Sequence, residues 1–432
     1  MLLILFFLYA PYGQANDYFV APTGNDADTG TLEKPFATIQ RAQQAAAPGD
    51  TVYLRGGNYE LLESHIAKRE RIWAYVIHLD KSGKPGKPIR YAAYKEERPV
   101  FDFSGIKPNR KRITAFYVEA SWVQLEGLEV TGVQVTMLGH TQSICFDNEG
   151  SHNLYERLSM HDGQAIGIYS VRGSDNLFLN CDAYNNHDYT SENKKGGNVD
   201  GFGCHPTPGS TGNVFRGCRA WFNSDDGFDC ITASESVTFE NCWAMYNGFS
   251  PKFEPLGDGN GFKVGGFAGT PSERLPHPIP RHTVKYCVAA RNRSSGFYAN
   301  HHLEGIDWFH NSAYKNSVNF NMRSRLPDNR TEIDGFAHKL QNNLAYAGRK
   351  EVENLDATRS EASHNSFTLG LKLSDHDFLS LDDQQLLRPR TAAGKLPEIT
   401  FLHPSQNSNL FGQGKNIGLP FTGKSPTLGA FE

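Results

Sequence analysis

After its first fifteen residues the sequence has no apolar run long enough to cross a bilayer, so no membrane insertion is expected. It also lacks a basic excess. Its 43 Lys and Arg against 47 Asp and Glu give a net charge of −4, which argues against nucleic acid as a partner. Long charge blocks are missing, and so is the recurring leucine pattern that a leucine-rich repeat requires. The seven cysteines are odd in number and scattered, unlike those of a small disulfide scaffold. What the chain does have is glycine, 42 of its 432 residues, with asparagine and aromatics at short intervals. This is the composition of a turn-rich β protein.

The opening MLLILFFLYAPYGQA is apolar and ends in Gly13-Gln14-Ala15 before the polar pair Asn16-Asp17. It reads as a secretory signal peptide over residues 1–15, although no Lys or Arg precedes the apolar run; a buried N-terminal strand is the other reading. Cleavage near Ala15 would leave residues 16–432 as a mature chain that is secreted or periplasmic. No linker divides it, so one domain is expected.

The cysteines belong to a repeat. NLFLNCDAYNN (176–186), NVFRGCRAWFN (213–223), SVTFENCWAMYN (236–247) and TVKYCVAARN (283–292) each alternate apolar residues and then read Cys-x-Ala-x-x-Asn. GIDWFHNSAYKN (305–316) fits with Asn311 in the cysteine place, and LYERLSMHDG (154–163) fits loosely. Ala220 to Ala244 and Ala289 to Ala313 both span 24 residues, while wider gaps elsewhere imply insertions between coils. Short β segments at this period define a solenoid, and a parallel β-helix accommodates them best. Equivalent residues then stack about 4.8 Å apart. Cys and Ala face inward as small side chains, and the asparagines form a ladder at a bend. The thiols are thus expected to be buried rather than bridged or bound to metal. TIQRAQQAAA (38–47), stopped by Pro48-Gly49-Asp50, predicts a helix capping the first coil within a capping region of about 16–60. From about 350 to 432 the repeat is lost, and a loop-rich tail is expected to lie along the outside. A capped solenoid is expected to be a monomer.

NSDDGFD (223–229) puts Asp225, Asp226 and Asp229 together with no cation in the segment. Asp200, in NVDGFG one coil earlier, has the same Asp-Gly-Phe setting as Asp226 and would fall one strand spacing away. Four carboxylates around glycine turns make a hard-oxygen site suited to Ca2+; aspartates at ordinary exposed turns are the alternative. GDGNGFKVGG (257–266) then places Lys263 in a glycine-lined strand. Beside a cation it would serve as a base, while a plain surface lysine is the commoner meaning of such a residue. Together the two features point to β-elimination on a uronic acid. A cation offsets the carboxylate charge, a neutral lysine removes the C5 proton, and the C4 oxygen leaves.

The segments NVDGFG, GCRAWFNSDDGFD and GDGNGFKVGG resemble the core of polysaccharide lyase family 9, calcium-dependent β-elimination enzymes with a right-handed parallel β-helix fold. The resemblance runs from YFVAPTGNDADTGTLEKPFATIQRA to the final PTLGAFE. It implies that Asp200, Asp225, Asp226 and Asp229 bind calcium, joined by a main-chain carbonyl near Cys230, and that Lys263 is the base. The family acts on homogalacturonan (pectate) or on rhamnogalacturonan I, both acidic plant cell-wall polysaccharides of pectin. GFYANHHLEG (296–305) and NSAYKNSVNFNM (311–322) resemble the rhamnogalacturonan branch. Arg219, His301, His302, Asn321 and Arg323 are candidates for contacts with the sugar, or else turn and surface residues. Tyr298 and Trp308 are candidates for stacking on sugar faces, or for packing.

Two rivals remain. A hydrolase on the same fold would use paired aspartates and no metal; it would leave Lys263 idle, and the chain lacks a Gly-His-Gly segment. A non-enzymatic carbohydrate-binding β-helix with a structural calcium would be indifferent to replacement of Lys263.

Overall fold

The computed structural model describes residues 15–431, so the expected signal peptide lies, except for Ala15, outside the described residues. Among these, three sheets of 12, 10 and 11 strands stack strands from successive coils in parallel, apart from an antiparallel edge strand, Lys68–Glu70, beside Trp73–Leu79 in the eleven-stranded sheet. One coil shows the plan: Asn213–Arg216 enters the twelve-stranded sheet, Arg219–Trp221 the ten-stranded sheet and Phe228–Asp229 the eleven-stranded sheet. The chain is a parallel β-helix, as the repeat predicts.

Strand register turns the sequence repeat into columns. In the ten-stranded sheet Ala183, Ala220, Ala244, Ala289, Ala313 and Ala345 are consecutive partners. In the eleven-stranded sheet Phe202, Phe228, Phe262, Phe297 and Phe320 follow one another, with ring centroids 4.7–5.1 Å apart. Both columns are buried, small side chains in one wall leaving room for large rings in another.

The bends are held by amides. Asn186 donates to Asn223, Asn223 to Asn247, Asn247 to Asn292 and Asn292 to Asn316, each Nδ2 to the next Oδ1 at 3.0–3.1 Å. A second column runs through Cys181, Cys218, Cys242 and Cys287 and continues as Asn311, Asn343 and Asn365. The two residue types do the same work there. Cys181 Sγ lies 3.4 Å from the Tyr155 carbonyl and Cys218 Sγ 3.3 Å from that of Phe178, while Asn311 and Asn343 donate at 2.9 Å to the carbonyls of Val284 and Trp308. All seven cysteines are free and buried, and these thiols serve as small weak donors inside the wall.

The N-terminal helix covers Ile39–Ala45, slightly shorter than the predicted 38–47, with Thr38 accepting from Arg41 N at its start. It closes the first coil with side-chain amides. Gln40 and Gln43 donate to the carbonyls of Val76 and His78, and Gln43 Oε1 accepts from Asp80 N. At the other end the last strands are Lys350–Glu353 and Glu361–Ser363. The tail then doubles back over the outer face of the ten-stranded sheet. Phe378, Leu386, Phe401 and Leu402 pack there against Trp243, Met245, Val288 and Tyr314.

An ionic clamp pins the tail. Asp182 receives two arginines, Arg219 from the next coil at 2.9 and 2.7 Å and Arg390 from the tail at 3.0 and 2.6 Å. Arg219 also donates to the carbonyls of Leu386 and Arg388. Replacing Asp182 by Ala would strand two buried guanidinium groups. A loss of about 3–5 kcal/mol in chemical denaturation is expected, whereas Asp182→Glu should lose much less.

Candidate active site

Alternate residues of the eleven-stranded sheet point outward and form one row across its face. From partner to partner it reads His78, Tyr117, Asp147, Tyr169, Gly203, Asp229, Lys263, Tyr298 and Asn321. Lys263 and Asp229 are therefore adjacent because their strands pair, although 34 positions separate them.

A second column stands at the start of the same strands, where the chain reads Asp200-Gly-Phe, Asp226-Gly-Phe, Asn260-Gly-Phe and Ser295-Gly-Phe. Each side chain accepts from the next main-chain N–H: Asp226 N to Asp200 Oδ1 (3.1 Å), Asn260 N to Asp226 Oδ1 (2.6 Å) and Ser295 N to Asn260 Oδ1 (3.1 Å). The glycines are required by the wall behind. A Cβ on Gly227 would sit 2.8 Å from Asn247 Nδ2, and one on Gly261 2.8 Å from Asn292 Nδ2. The Asp-Gly-Phe signature is thus the asparagine ladder seen from outside.

These columns bring one oxygen each of Asp200, Asp226 and Asp229 within 4.8 Å of one another, all three residues buried. Lys263 Nζ lies 3.0 Å from Asp226 Oδ2 and 3.1 Å from Asp229 Oδ2, its side chain 14% exposed. Asp226 Oδ2 is fully buried, and its contact with the ammonium lacks hydrogen-bond alignment. Asp225, also expected among the ligands, is not one of the converging carboxylates; it is buried and accepts from Asp258 N at 2.8 Å. Burial first, and neighbouring carboxylates second, hold the Asp200 and Asp225 carboxyls well above the usual range. Burial also raises that of Asp226, against the pull of Lys263. Burial alone would lower the Lys263 pKa, but the surrounding carboxylates, Asp226 foremost, outweigh it and keep the ammonium charged. An orphaned buried oxygen among three converging carboxylates fits a hard metal ion.

The other candidates separate. Tyr298 and Asn321 occupy the next two places of the row after Lys263. Arg323 pairs with Glu332 at 2.9 Å and donates to Asn354 at 2.7 Å, while His301 lies 3.4 Å from the same Glu332 and edge-on to Tyr298. Two expectations are overturned. His302 is fully buried, its Nδ1 accepting from Gly266 N and its Nε2 donating to the Pro280 carbonyl; burial pushes its pKa down to about 4. Arg219 lies on a different sheet, 3% exposed beneath the tail, in the Asp182 clamp. Neither can touch a polymer on the Lys263 face. Trp308 is fully buried and belongs to the core. Conversely, Tyr117, Asp147 and Tyr169 share the row without any motif to announce them. His205 packs its ring against Tyr169, 4.8 Å between centroids, and donates from Nδ1 to the Ile231 carbonyl at 2.7 Å.

Residues 18–343 match the family described as Pel9A-like, right handed beta helix region. The chain is 34% identical over 427 residues to pectate lyase L of Dickeya chrysanthemi, spanning 96% of this chain and 90% of that one. It is 28% identical over 419 residues to pectate lyase PEL9 of Emericella nidulans, spanning 92% and 94%. Among solved structures, a rhamnogalacturonan lyase aligns with a TM-score of 0.86 at 42% identity, covering 91% of this chain and 97% of that one. Pectate lyase Pel9A aligns with a TM-score of 0.78 at 31% identity, covering 98% and 97%.

The raised carboxyls fix the sign of a pH effect. Between its unfolded and its higher folded value, each of Asp200, Asp225 and Asp226 binds more protons folded than unfolded, so its contribution to stability falls as pH rises. Lys263 acts in another window: its contribution is complete below its ordinary 10.5 and is lost only as pH climbs through the raised value. A divalent cation competes with the carboxyl protons. Calcium at a hundredfold excess over its dissociation constant should add about 2.7 kcal/mol at pH 8 and clearly less at pH 5, read as shifts in thermal unfolding. Equal shifts at both values would count against binding at these carboxylates.

Proposed function

Because the chain belongs to polysaccharide lyase family 9, with its Pel9A-like right-handed β-helix, we propose that it cleaves rhamnogalacturonan I of pectin by calcium-assisted β-elimination at galacturonate, leaving 4,5-unsaturated uronate ends. The observation that carries this reading is the placement of Lys263 Nζ within 3.1 Å of two carboxylates of the buried triad, on an outward row of the sheet. A base and a cation site side by side are what elimination next to a carboxylate requires. The rhamnogalacturonan branch is favoured over homogalacturonan by the 42% identity to a rhamnogalacturonan lyase, against 34% and 31% to two pectate lyases.

Asp200, Asp226 and Asp229, backed by Asp225, would hold the calcium. Bound there, it would supply two charges, offsetting both the uronate carboxylate and the carboxylate field that keeps Lys263 protonated. Neutral Lys263 takes the C5 proton, the electron pair forms the C4–C5 double bond, and the glycosidic oxygen leaves from C4. The fixed strand pairing of Asp229 and Lys263 keeps the base at one distance from the carboxylates. The 14% exposure of the Lys263 side chain limits water around the ammonium. The reading includes export, since cell-wall polymers must be met outside the cell, and residues 16–432 acting as one monomeric lyase domain.

The test is ultraviolet absorbance of unsaturated uronate on rhamnogalacturonan I and on polygalacturonate, each with calcium and with a chelator. A calcium-dependent rise on rhamnogalacturonan I is expected; a rise on polygalacturonate alone would move the enzyme to the pectate lyases. Lys263→Ala should lower kcat about 10²–10⁴-fold. Lys263→Arg should be as inactive, because a guanidinium keeps the charge but cannot give up its proton. Activity in the arginine variant would sink the base assignment.

A further inference from the structure

The row that carries Lys263 continues past Gly203 to a group that the elimination does not use. Asp147 lies between Tyr169 and Tyr117, its strand partners on either side, and all three point to the same outer face. Its residue exposure is 7%, close to the 5% of Asp229. Its Oδ1 is buried and accepts no hydrogen bond. An unpartnered carboxyl oxygen at this depth is costly, and most buried polar groups in folded proteins are paired.

The cations around it are committed elsewhere: Lys68 pairs with Glu70 and holds its Nζ over the Tyr75 and Tyr117 rings. Arg172 is engaged by Glu149, and Arg112 lies over the Trp73 ring with its Nη2 directed at the His140 carbonyl. Glu149, two positions on, adds negative charge. Burial first and Glu149 second push the Asp147 carboxyl up to about 8, against Arg172. The neighbouring rings are held in place. Tyr117 stacks on Tyr75 at 4.1 Å and Tyr169 packs on His205. Asp147 stands three strand spacings from Asp229, roughly 14 Å, a distance that places it along an extended polymer rather than at the bond being broken.

We propose that Asp147, flanked by Tyr117 and Tyr169, is a subsite for an uncharged sugar unit of the substrate, whose hydroxyls pair with the carboxyl. Ring hydroxyls both donate and accept, so they can pair with the part of the carboxyl that the residue's 7% exposure leaves open, in either protonation state. A uronate placed there would set a second carboxylate against Asp147, while the nearby cations are already held by Glu149 and Glu70. The subsite therefore selects a neutral residue such as a deoxyhexose over galacturonate. This inference rests on the rhamnogalacturonan reading and deepens it.

Steady-state kinetics of Asp147→Ala and Asp147→Asn test it, on rhamnogalacturonan I and on polygalacturonate with calcium. Asp147→Ala should raise KM for rhamnogalacturonan I about tenfold or more with kcat little changed. Asp147→Asn, which keeps a donor and an acceptor, should recover most of the loss. Neither should weaken use of polygalacturonate. Removing an unpartnered buried carboxyl should leave the melting temperature unchanged or higher, which separates loss of a ligand contact from loss of fold. Wild-type KM in a folded Asp147→Ala would overturn the subsite, and so would an equal loss on both polymers. If the wild type leaves rhamnogalacturonan I intact, the substrate reading itself fails. Calorimetric binding of its oligosaccharides to wild type and Asp147→Ala then decides the subsite: weaker binding in the variant upholds it, and equal binding overturns it.

Discussion

Asn186, Asn223, Asn247, Asn292 and Asn316 share one run of amide hydrogen bonds, and the surface chemistry of the neighbouring sheet hangs from it. The amides press so close to the following turn that only glycine fits at positions 227 and 261. Each glycine lets the residue before it lie against the next coil, where Asp200, Asp226 and Asn260 successively accept main-chain N–H groups. The carboxylates are thus positioned by backbone donors and a rigid wall, not by flexible loops. Preorganisation of this kind is what a charge-stabilising site requires.

The same closeness creates an electrostatic problem that Lys263 answers. Three buried carboxylates within 4.8 Å repel one another, and the ammonium at 3.0 and 3.1 Å from two of them supplies the counter-charge. The proton on Lys263 and a cation on the carboxylates would therefore be linked, each weakening the hold on the other. On the proposed reading, such a base would be charged when the site lacks metal and freed for proton transfer when it holds one.

Much of this was legible in the residues alone. Cys-x-Ala-x-x-Asn marks a bend, an inward small residue and a second bend, and it repeats because every coil must solve the same packing problem. Asp200, Asp226, Asp229 and Lys263 could be aligned from their shared Gly-Phe context. What could not be read was anything that depends on register across insertions or on distant chain. Tyr117, Asp147 and Tyr169 join the Lys263 row only through strand pairing across loops of unequal length. Arg219 lies in the most motif-rich segment, yet its side chain leaves by another sheet and meets the tail 167 and 169 positions later. His301 and His302 are neighbours in sequence, but the turn sends one towards Glu332 and the other into the interior.

The clamp at Asp182 has a consequence for how the molecule is made. Arg390 closes it across 208 positions, and the tail that carries it covers Trp243, Val288 and Tyr314. Coils can stack one upon another as the chain emerges, since each needs only its predecessor. The greasy flank of the middle coils, however, stays bare until the last segment arrives. A polypeptide cut short before residue 390 would keep its stacked coils and its carboxylates but present a sticky side, open to other chains. The C-terminal strap thus closes a flank that the stacked coils alone leave open.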